Sequence, residues 1–214
     1  FKMDGASIEL QYDGGKLDMA VTRGDGEIGD DVTNNVLKMN FVPKGIKESF
    51  SGSVRGEILL SRINKEKYFP DKANCRNAAN GCMKKLDGSG CEYLDVVVYD
   101  AQTTDGKNTF GTQENLQNFL AENGFKVAEW KKFDKINGKI CMDYLNSVFE
   151  KFDELEYDID GIVWKQNVID IEDFKNYRPS TNIALKPART YATSTLRDII
   201  WNNNNGTYTI VKDN

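Results

Sequence analysis

The chain has 214 residues and no histidine, which excludes Ser-His-Asp and Cys-His nucleophile systems, H-E-x-x-H zinc sites and phosphohistidine chemistry. Its 28 Lys and Arg against 33 Asp and Glu leave a net charge of −5, too acidic for coating nucleic acid by charge alone, so a nucleic-acid role needs focused basic patches. Catalysis must rest on Lys, Asp, Glu, Tyr, Cys, Ser or Thr, and the length predicts one α+β domain plus a fragment.

The opening segment, Phe1-Lys2-Met3-Asp4, carries neither an initiator Met nor the apolar stretch of a signal peptide, and reads as a cut piece of a longer polypeptide. Ser7 to Tyr12 and Lys16 to Arg23 alternate apolar and polar residues around Asp13-Gly14-Gly15, the pattern of an antiparallel hairpin. A Gly-rich turn, Gly24 to Gly29, precedes a helix expected from about Asp30 to Lys38, with two acids in its first turn. Val54 to Leu60 reads as a strand, Asn74 to Leu86 as a helix despite Gly81, and Val96 to Tyr99 as a buried β-branched strand.

Two amphipathic helices follow. Thr112 caps a run with Leu116, Phe119 and Leu120 that stops at Asn123-Gly124, and Leu145, Val148, Phe149 and Phe152 form a second stripe. Both stripes read as core packing. Ile159 to Lys165 and Ile183 to Lys186 are predicted strands separated by a polar stretch with Pro179. Asn202 to Asn205 precedes Gly206 and a strand-like Thr207 to Val211, placing a boundary near 190 to 202. Apolar runs are too short to span a bilayer. Cysteines 75, 82, 91 and 141 match no zinc spacing, so reduced thiols in a soluble, cytoplasmic protein are expected.

Gly24, Gly26 and Gly29 satisfy G-x-G-x-x-G, a dinucleotide-binding pattern. The preceding strand pairs in a hairpin instead of opening a βαβ unit, and Asp25, Glu27, Asp30 and Asp31 would face a pyrophosphate with carboxylates. A different set of motifs is more informative. Lys2-Met3-Asp4-Gly5 has the form K-x-D-G, Val54-Arg55-Gly56-Glu57 puts an acid on a strand, and Asp160-Gly161-Ile162-Val163-Trp164-Lys165 has the form D-G-x-V-x-K. Ala184-Leu185-Lys186-Pro187 follows.

In this order the motifs resemble the covalent nucleotidyltransferases, the superfamily of polynucleotide ligases and capping enzymes. A lysine amine attacks only when deprotonated, which calls for neighbouring cations, and Arg23, Lys165 and Lys186 are the candidates. The same cations would neutralise nucleotide phosphates, while Asp4, Glu57 and Asp160 would orient ribose hydroxyls or a magnesium ion. The resemblance sharpens to the NAD-dependent DNA ligases. Thr22-Arg23-Gly24-Asp25-Gly26-Glu27-Ile28-Gly29-Asp30-Asp31-Val32-Thr33-Asn34-Asn35-Val36 is similar to that family's T-R-G-D-G-x-x-G-E-D-V-T-x-N-V. Asn74 to Gly81 is similar to its N-P-R-N-A-A-A-G, and Tyr157 to Val163 to its Y-x-I-D-G-V-V. The likeness covers essentially residues 1 to 200.

The resemblance implies an α+β, ATP-grasp-like ligase adenylation core of antiparallel sheets flanked by helices, with residues 1–195 as the nucleotidyltransferase domain and 196–214 as a linker and the start of an OB-fold. It implies Lys2 as the adenylated lysine, Asp4, Gly5, Arg23, Glu57, Asp160, Lys165 and Lys186 around the nucleotide, and Tyr99 stacking on adenine. Core packing alone also explains a Tyr at the end of a hydrophobic strand. Arg76 and Lys84 would contact nucleotide or DNA phosphate. NAD and Mg2+ are the implied cofactors. Nicked double-stranded DNA is the implied partner, and the NMN-binding and OB-fold domains would lie outside this chain. No residue is assigned as a metal ligand.

Departures are visible. The family's Glu two residues before the lysine is absent, Lys84 replaces an Arg, Thr181 replaces a Trp, and no aromatic stands between Lys186 and Pro187. An ATP-dependent DNA or RNA ligase and a non-catalytic nucleotide- or DNA-binding scaffold remain the rival readings.

Overall fold

The computed structural model describes residues 1–24, 28–46, 49–106, 110–174, 180–188, 193–202 and 207–212. Its strands are β1 (Lys2–Met3), β2 (Ala6–Asp13), β3 (Lys16–Thr22), β4 (Gly52–Leu60), β5 (Leu94–Thr103), β6 (Lys126–Val127), β7 (Ile159–Lys165), β8 (Asn182–Leu185), β9 (Leu196–Asn202) and β10 (Thr207–Lys212). The helices are α1 (Thr33–Val36), α2 (Arg62–Tyr68), α3 (Cys75–Met83), α4 (Gln113–Glu122), α5 (Gly138–Phe149) and α6 (Ile171–Phe174).

Five strands form one sheet in the order β3-β2-β4-β5-β6, β1-β7-β8 form a second, and β9 and β10 a separate hairpin. The strand pairs are antiparallel, as expected, apart from β5 with the short edge strand β6, which pair parallel. Side chains alternate between the faces of a strand. The large sheet therefore turns Ile8 and Leu10, Val54 and Ile58, and Val96 and Val98 toward a core closed by Ala78 and Cys82 of α3 and Leu116 and Leu120 of α4. The opposite face carries Leu59 and Val97, which pack with Met3 and Ile159 of the small sheet. A site between the two sheets is thus built from odd-numbered residues of β2, β4 and β5.

Local signals explain the helix ends. Asn74, Thr112 and Asn137 accept the Asn77, Asn115 and Ile140 amides as N-caps of α3, α4 and α5, and Gly124, at φ 86°, terminates α4. The helix expected at Asp30–Lys38 shrinks to α1, and no acid lies in its first turn. The Asp30 carbonyl accepts from the Thr22 amide, and Asp31 bridges Val21, so both acids extend β3's edge before the helix begins. In the second predicted stripe Leu145 is buried. α5 ends at Phe149, and Phe152 lies in the following 3-10 turn with its ring stacked on Phe149 at 5.6 Å. Helix α2, β1 and β6 carry no strong periodic signal and were not expected. The four cysteines are free, with Cys75, Cys82 and Cys91 buried, and burial pushes the Cys75 and Cys91 thiols up to about 11.

Asp25, Gly26 and Glu27 of the Gly-rich turn, Pro179, Asn203 to Asn205 and Gly206 lie outside the described residues. No helix among the described residues is long and apolar enough to cross a membrane.

Candidate active site

Strand β1 pairs with β7 so that Lys2 stands opposite Gly161 and next to Asp160. Lys2 Nζ lies 3.0 Å from Asp160 Oδ1 and donates to Oδ2 at 3.1 Å. Lys186, the first residue after β8, donates to the same Oδ2 at 2.9 Å. One carboxylate therefore joins two lysines that are 184 residues apart. Two glycines make this possible. A Cβ on Gly5 would meet the Ile58 carbonyl oxygen at 2.4 Å, where the chain crosses from the small sheet into β2. A Cβ on Gly161 would meet the Leu185 carbonyl oxygen at 2.1 Å, so only glycine lets β8 approach closely enough to bring Lys186 onto Asp160.

Beside Lys2 opens a cavity of about 530 Å³, lined among others by Ser7, Arg23, Glu57, Tyr99 and Lys165. A bulge explains how β5 contributes to it. Arg55 faces Asp100 and Gly56 faces Val98, leaving Tyr99 as the extra residue. Lys165 gathers both consecutive side chains: its Nζ donates to the Tyr99 carbonyl at 3.3 Å, lies 3.7 Å from Asp100 Oδ2 and stands 5.9 Å from the Tyr99 ring centroid. Tyr99 packs against the cluster of Met3, Leu59 and Val97 and also lines the cavity.

The electrostatics follow from burial and partners. For Asp160, burial pushes the carboxyl up, but hydrogen bonds from Lys186 and Lys2 and their charges outweigh it and hold the group below the usual carboxylate range. For Glu57, burial wins over the Ser7 hydrogen bond and the fields of Lys2 and Arg76, and the carboxyl is raised. Burial also raises Tyr99 and Asp100, the latter against the pull of Lys165.

The remaining predicted residues sit around this centre. Asp4 donates its amide to the Asp158 carbonyl at 3.0 Å and pairs with Arg76 Nη1 at 3.0 Å. Lys84 is exposed at the C-terminal end of α3 and does not line the cavity. Arg23 and Lys165 line the same cavity as Lys2, and Lys186 meets it through Asp160, which the β1–β7 register puts between the two lysines, while Lys165 is also engaged with Tyr99 and Asp100.

Several contributors were not anticipated. Ser7 donates to Glu57 Oε1 at 2.8 Å, and Gln117 Nε2 donates to the Tyr99 carbonyl at 3.1 Å. Phe133, Tyr144 and Trp164 form an aromatic cluster on the cavity wall, with ring centroids 5.2 to 6.0 Å apart. The period-2 position of Ser7 and the inclusion of Trp164 in the D-G-x-V-x-K motif were the available signals. Three buried polar atoms of the lining, Glu57 Oε2, Gln113 Oε1 and Trp164 Nε1, have no donor or acceptor in bonding geometry among the described residues. Such atoms cost free energy unless something else satisfies them, and here all three border one cavity with aromatic walls.

The arrangement is a lysine held by a carboxylate at the mouth of a polar-and-aromatic cavity, and known proteins match it in sequence. The profile of the NAD-dependent DNA ligase adenylation domain covers residues 1–186. The chain belongs to this family. A DNA ligase of Treponema denticola is 43% identical over 98% of this chain and 34% of its own length, and one of Treponema pallidum is 36% identical over 97% and 27%. One of Oceanobacillus iheyensis is 35% identical over 92% and 31%. The chain thus spans about a third of the length of these ligases. In fold it is similar to a solved structure named Pmar-Lig_Pre, with a TM-score of 0.53 at 14% identity, covering 99% of this chain and 50% of that one. The adenylation-domain fold and the family expected from the motifs are both borne out.

Proposed function

We propose that this adenylation domain transfers AMP from NAD to Lys2 as the first step in sealing nicked duplex DNA. Lys2 Nζ, once deprotonated, attacks the α-phosphorus; the N–P bond forms as the bond to nicotinamide mononucleotide breaks, and the mononucleotide leaves with the bridging oxygen. AMP then passes to the 5′-phosphate at the nick, and the 3′-hydroxyl displaces it. The observation that carries the reading is the single carboxylate, Asp160, held by both Lys2 and Lys186 beside the cavity. This geometry orients the nucleophile and keeps a second cation near the point where phosphate charge develops. The lowered basicity of Asp160 makes it a holder of Lys2 and not a sink for its proton.

In this reading Tyr99 stacks on adenine, Glu57 Oε2 accepts a ribose hydroxyl, and Arg23 and Lys165 neutralise phosphates. Asp4 orients Arg76, which with Lys84 contacts nucleotide or DNA phosphate. Gly5 serves by leaving room for the chain. Residues 1–195 act as the nucleotidyltransferase domain and 196–214 begin an OB-fold, with the NMN-binding and remaining DNA-gripping parts in the rest of a cytoplasmic ligase. For Mg2+ the side chains fit poorly. Among the described residues no three His, Cys, Asp or Glu come together as a metal group, and Asp160 and Glu57 are engaged by lysines and by Ser7. The described side chains therefore offer no ready seat for a resident ion.

The test is covalent labelling of the full-length protein with NAD or ATP, followed by mapping of the AMP adduct by mass spectrometry. The expected result is an adduct on Lys2 from NAD, lost in Lys2→Ala and in Lys2→Arg, whose guanidinium does not deprotonate to attack. Labelling from ATP but not NAD would favour the ATP-dependent reading, and no labelling from either would favour a scaffold.

A further inference from the structure

Ser7 lies directly opposite Glu57 in the β2–β4 register, on the face that looks toward the small sheet. Its hydroxyl donates to Glu57 Oε1 at 2.8 Å, and both residues line the cavity beside Lys2. The other oxygen, Oε2, is buried with no donor in bonding geometry among the described residues. A glutamate side chain has three rotatable bonds, and a carboxylate with two equivalent oxygens can present either one. Tying Oε1 to a short side chain on the neighbouring strand removes that freedom. We propose that Ser7 is the positioning residue of the nucleotide-binding carboxylate, fixing Glu57 by Oε1 so that Oε2 alone is presented to a hydroxyl donor of the ligand. The inference rests on the adenylation reading for the identity of that ligand, a ribose, but not for the Ser7–Glu57 coupling itself.

The coupling has a second consequence. Glu57 must be ionised to act as an acceptor only, yet burial favours its neutral form. The groups that oppose burial come from four elements: Ser7 on β2, Lys2 on β1, Arg76 on α3 and Tyr99 on β5, and the Ser7 hydrogen bond is the largest of them. Removing the hydroxyl weakens the main support of the carboxylate while leaving every charge in place.

The experiment is a ¹³C NMR titration of the Glu57 carboxyl in the wild-type, Ser7→Ala and Ser7→Thr proteins, paired with adenosine binding by calorimetry across the same pH range. In Ser7→Ala the Glu57 titration and the acid limb of adenosine binding should both move to higher pH, with binding on that limb about tenfold weaker. Ser7→Thr, which keeps the hydroxyl on a β-compatible residue, should restore both. A Ser7 with a merely structural role would lower thermal stability or the folded fraction without moving either limb. Superposition of the Ser7→Ala titration on that of the wild type overturns the inference, whether or not Lys2 is labelled by NAD. No labelling of wild-type Lys2 by NAD, with the titration shift intact, would overturn the adenylation reading instead.

Discussion

Replacing Arg62 by Ala tests whether the segment carrying Lys2 is held from below. Arg62 Nε donates to Asp158 Oδ1 at 2.9 Å, Nη1 donates to the Phe152 carbonyl at 2.8 Å, and the guanidinium lies 4.2 Å from the Phe152 ring centroid. The Arg62 and Asp158 side chains are 23% and 26% exposed, so solvent screens the pair only in part. The contact with Asp153 at 3.9 Å is to a fully exposed carboxylate and adds little. A charged hydrogen bond at this depth contributes about 1.5 kcal/mol, the bond to the carbonyl about 1, and the cation–π contact about 0.5. The expected loss is about 3 kcal/mol, or about 6 to 12 °C in melting temperature for a chain of this size. Urea unfolding of the wild type, Arg62→Ala, Asp158→Asn and the double variant measures it, with a coupling of about 1 to 2 kcal/mol expected between the pair. The Asp158 carbonyl accepts the Asp4 amide, so Lys2 labelling should fall as well, and Arg62→Lys should recover only part of the loss because it lacks the fork. A loss under about 1 kcal/mol, or additive effects of the two single variants, would refute the reasoning.

Asp160→Asn should change melting temperature little, because its lysine partners are 34% and 54% exposed. Labelling of Lys2 should nevertheless drop about a hundredfold, and retained labelling would separate Asp160 from the chemistry. Glu57 is held above the ordinary glutamate range by burial, so the native state keeps a proton that the unfolded chain has lost. Its contribution to stability is therefore full below the ordinary glutamate range and declines as pH rises through that range toward the raised folded value. Glu57→Gln should abolish that decline and melt above the wild type at neutral pH while adenosine binding is lost; a Gln variant that unfolds yet keeps full activity per folded molecule would make Glu57 structural. Gly161→Ala should cost about 1 to 3 kcal/mol, because the new methyl meets the Leu185 backbone, and should separate Lys186 from Asp160, seen as loss of labelling beyond that of Gly161→Ala's folded fraction.

By itself the sequence determined the local elements with strong punctuation and the family to which the chain belongs. The Asp13-Gly14-Gly15 turn, the Thr112 cap and the β-branched run at Val96 act over a few residues, and each reappears in β2–β3, α4 and β5. Motif order pointed to Lys2, Glu57, Asp160, Lys165 and Lys186, because short segments preserve residue type and spacing whatever lies between them. Weakly patterned pieces stayed illegible. β1 is two residues long and β6 likewise, and such strands exist only through their partners. Helix α1 lost its predicted first turn because a sheet edge claimed the backbone of Asp30 and Asp31. Charge relations were decided by tertiary structure alone. Nothing in the spacing says that Asp160 will stand between Lys2 and Lys186, that a bulge will turn Tyr99 and Asp100 toward Lys165, or that Ser7 will face Glu57 across two strands. Those relations depend on strand register, and a register slip of one residue would send Ser7 and Glu57 to opposite faces of the sheet.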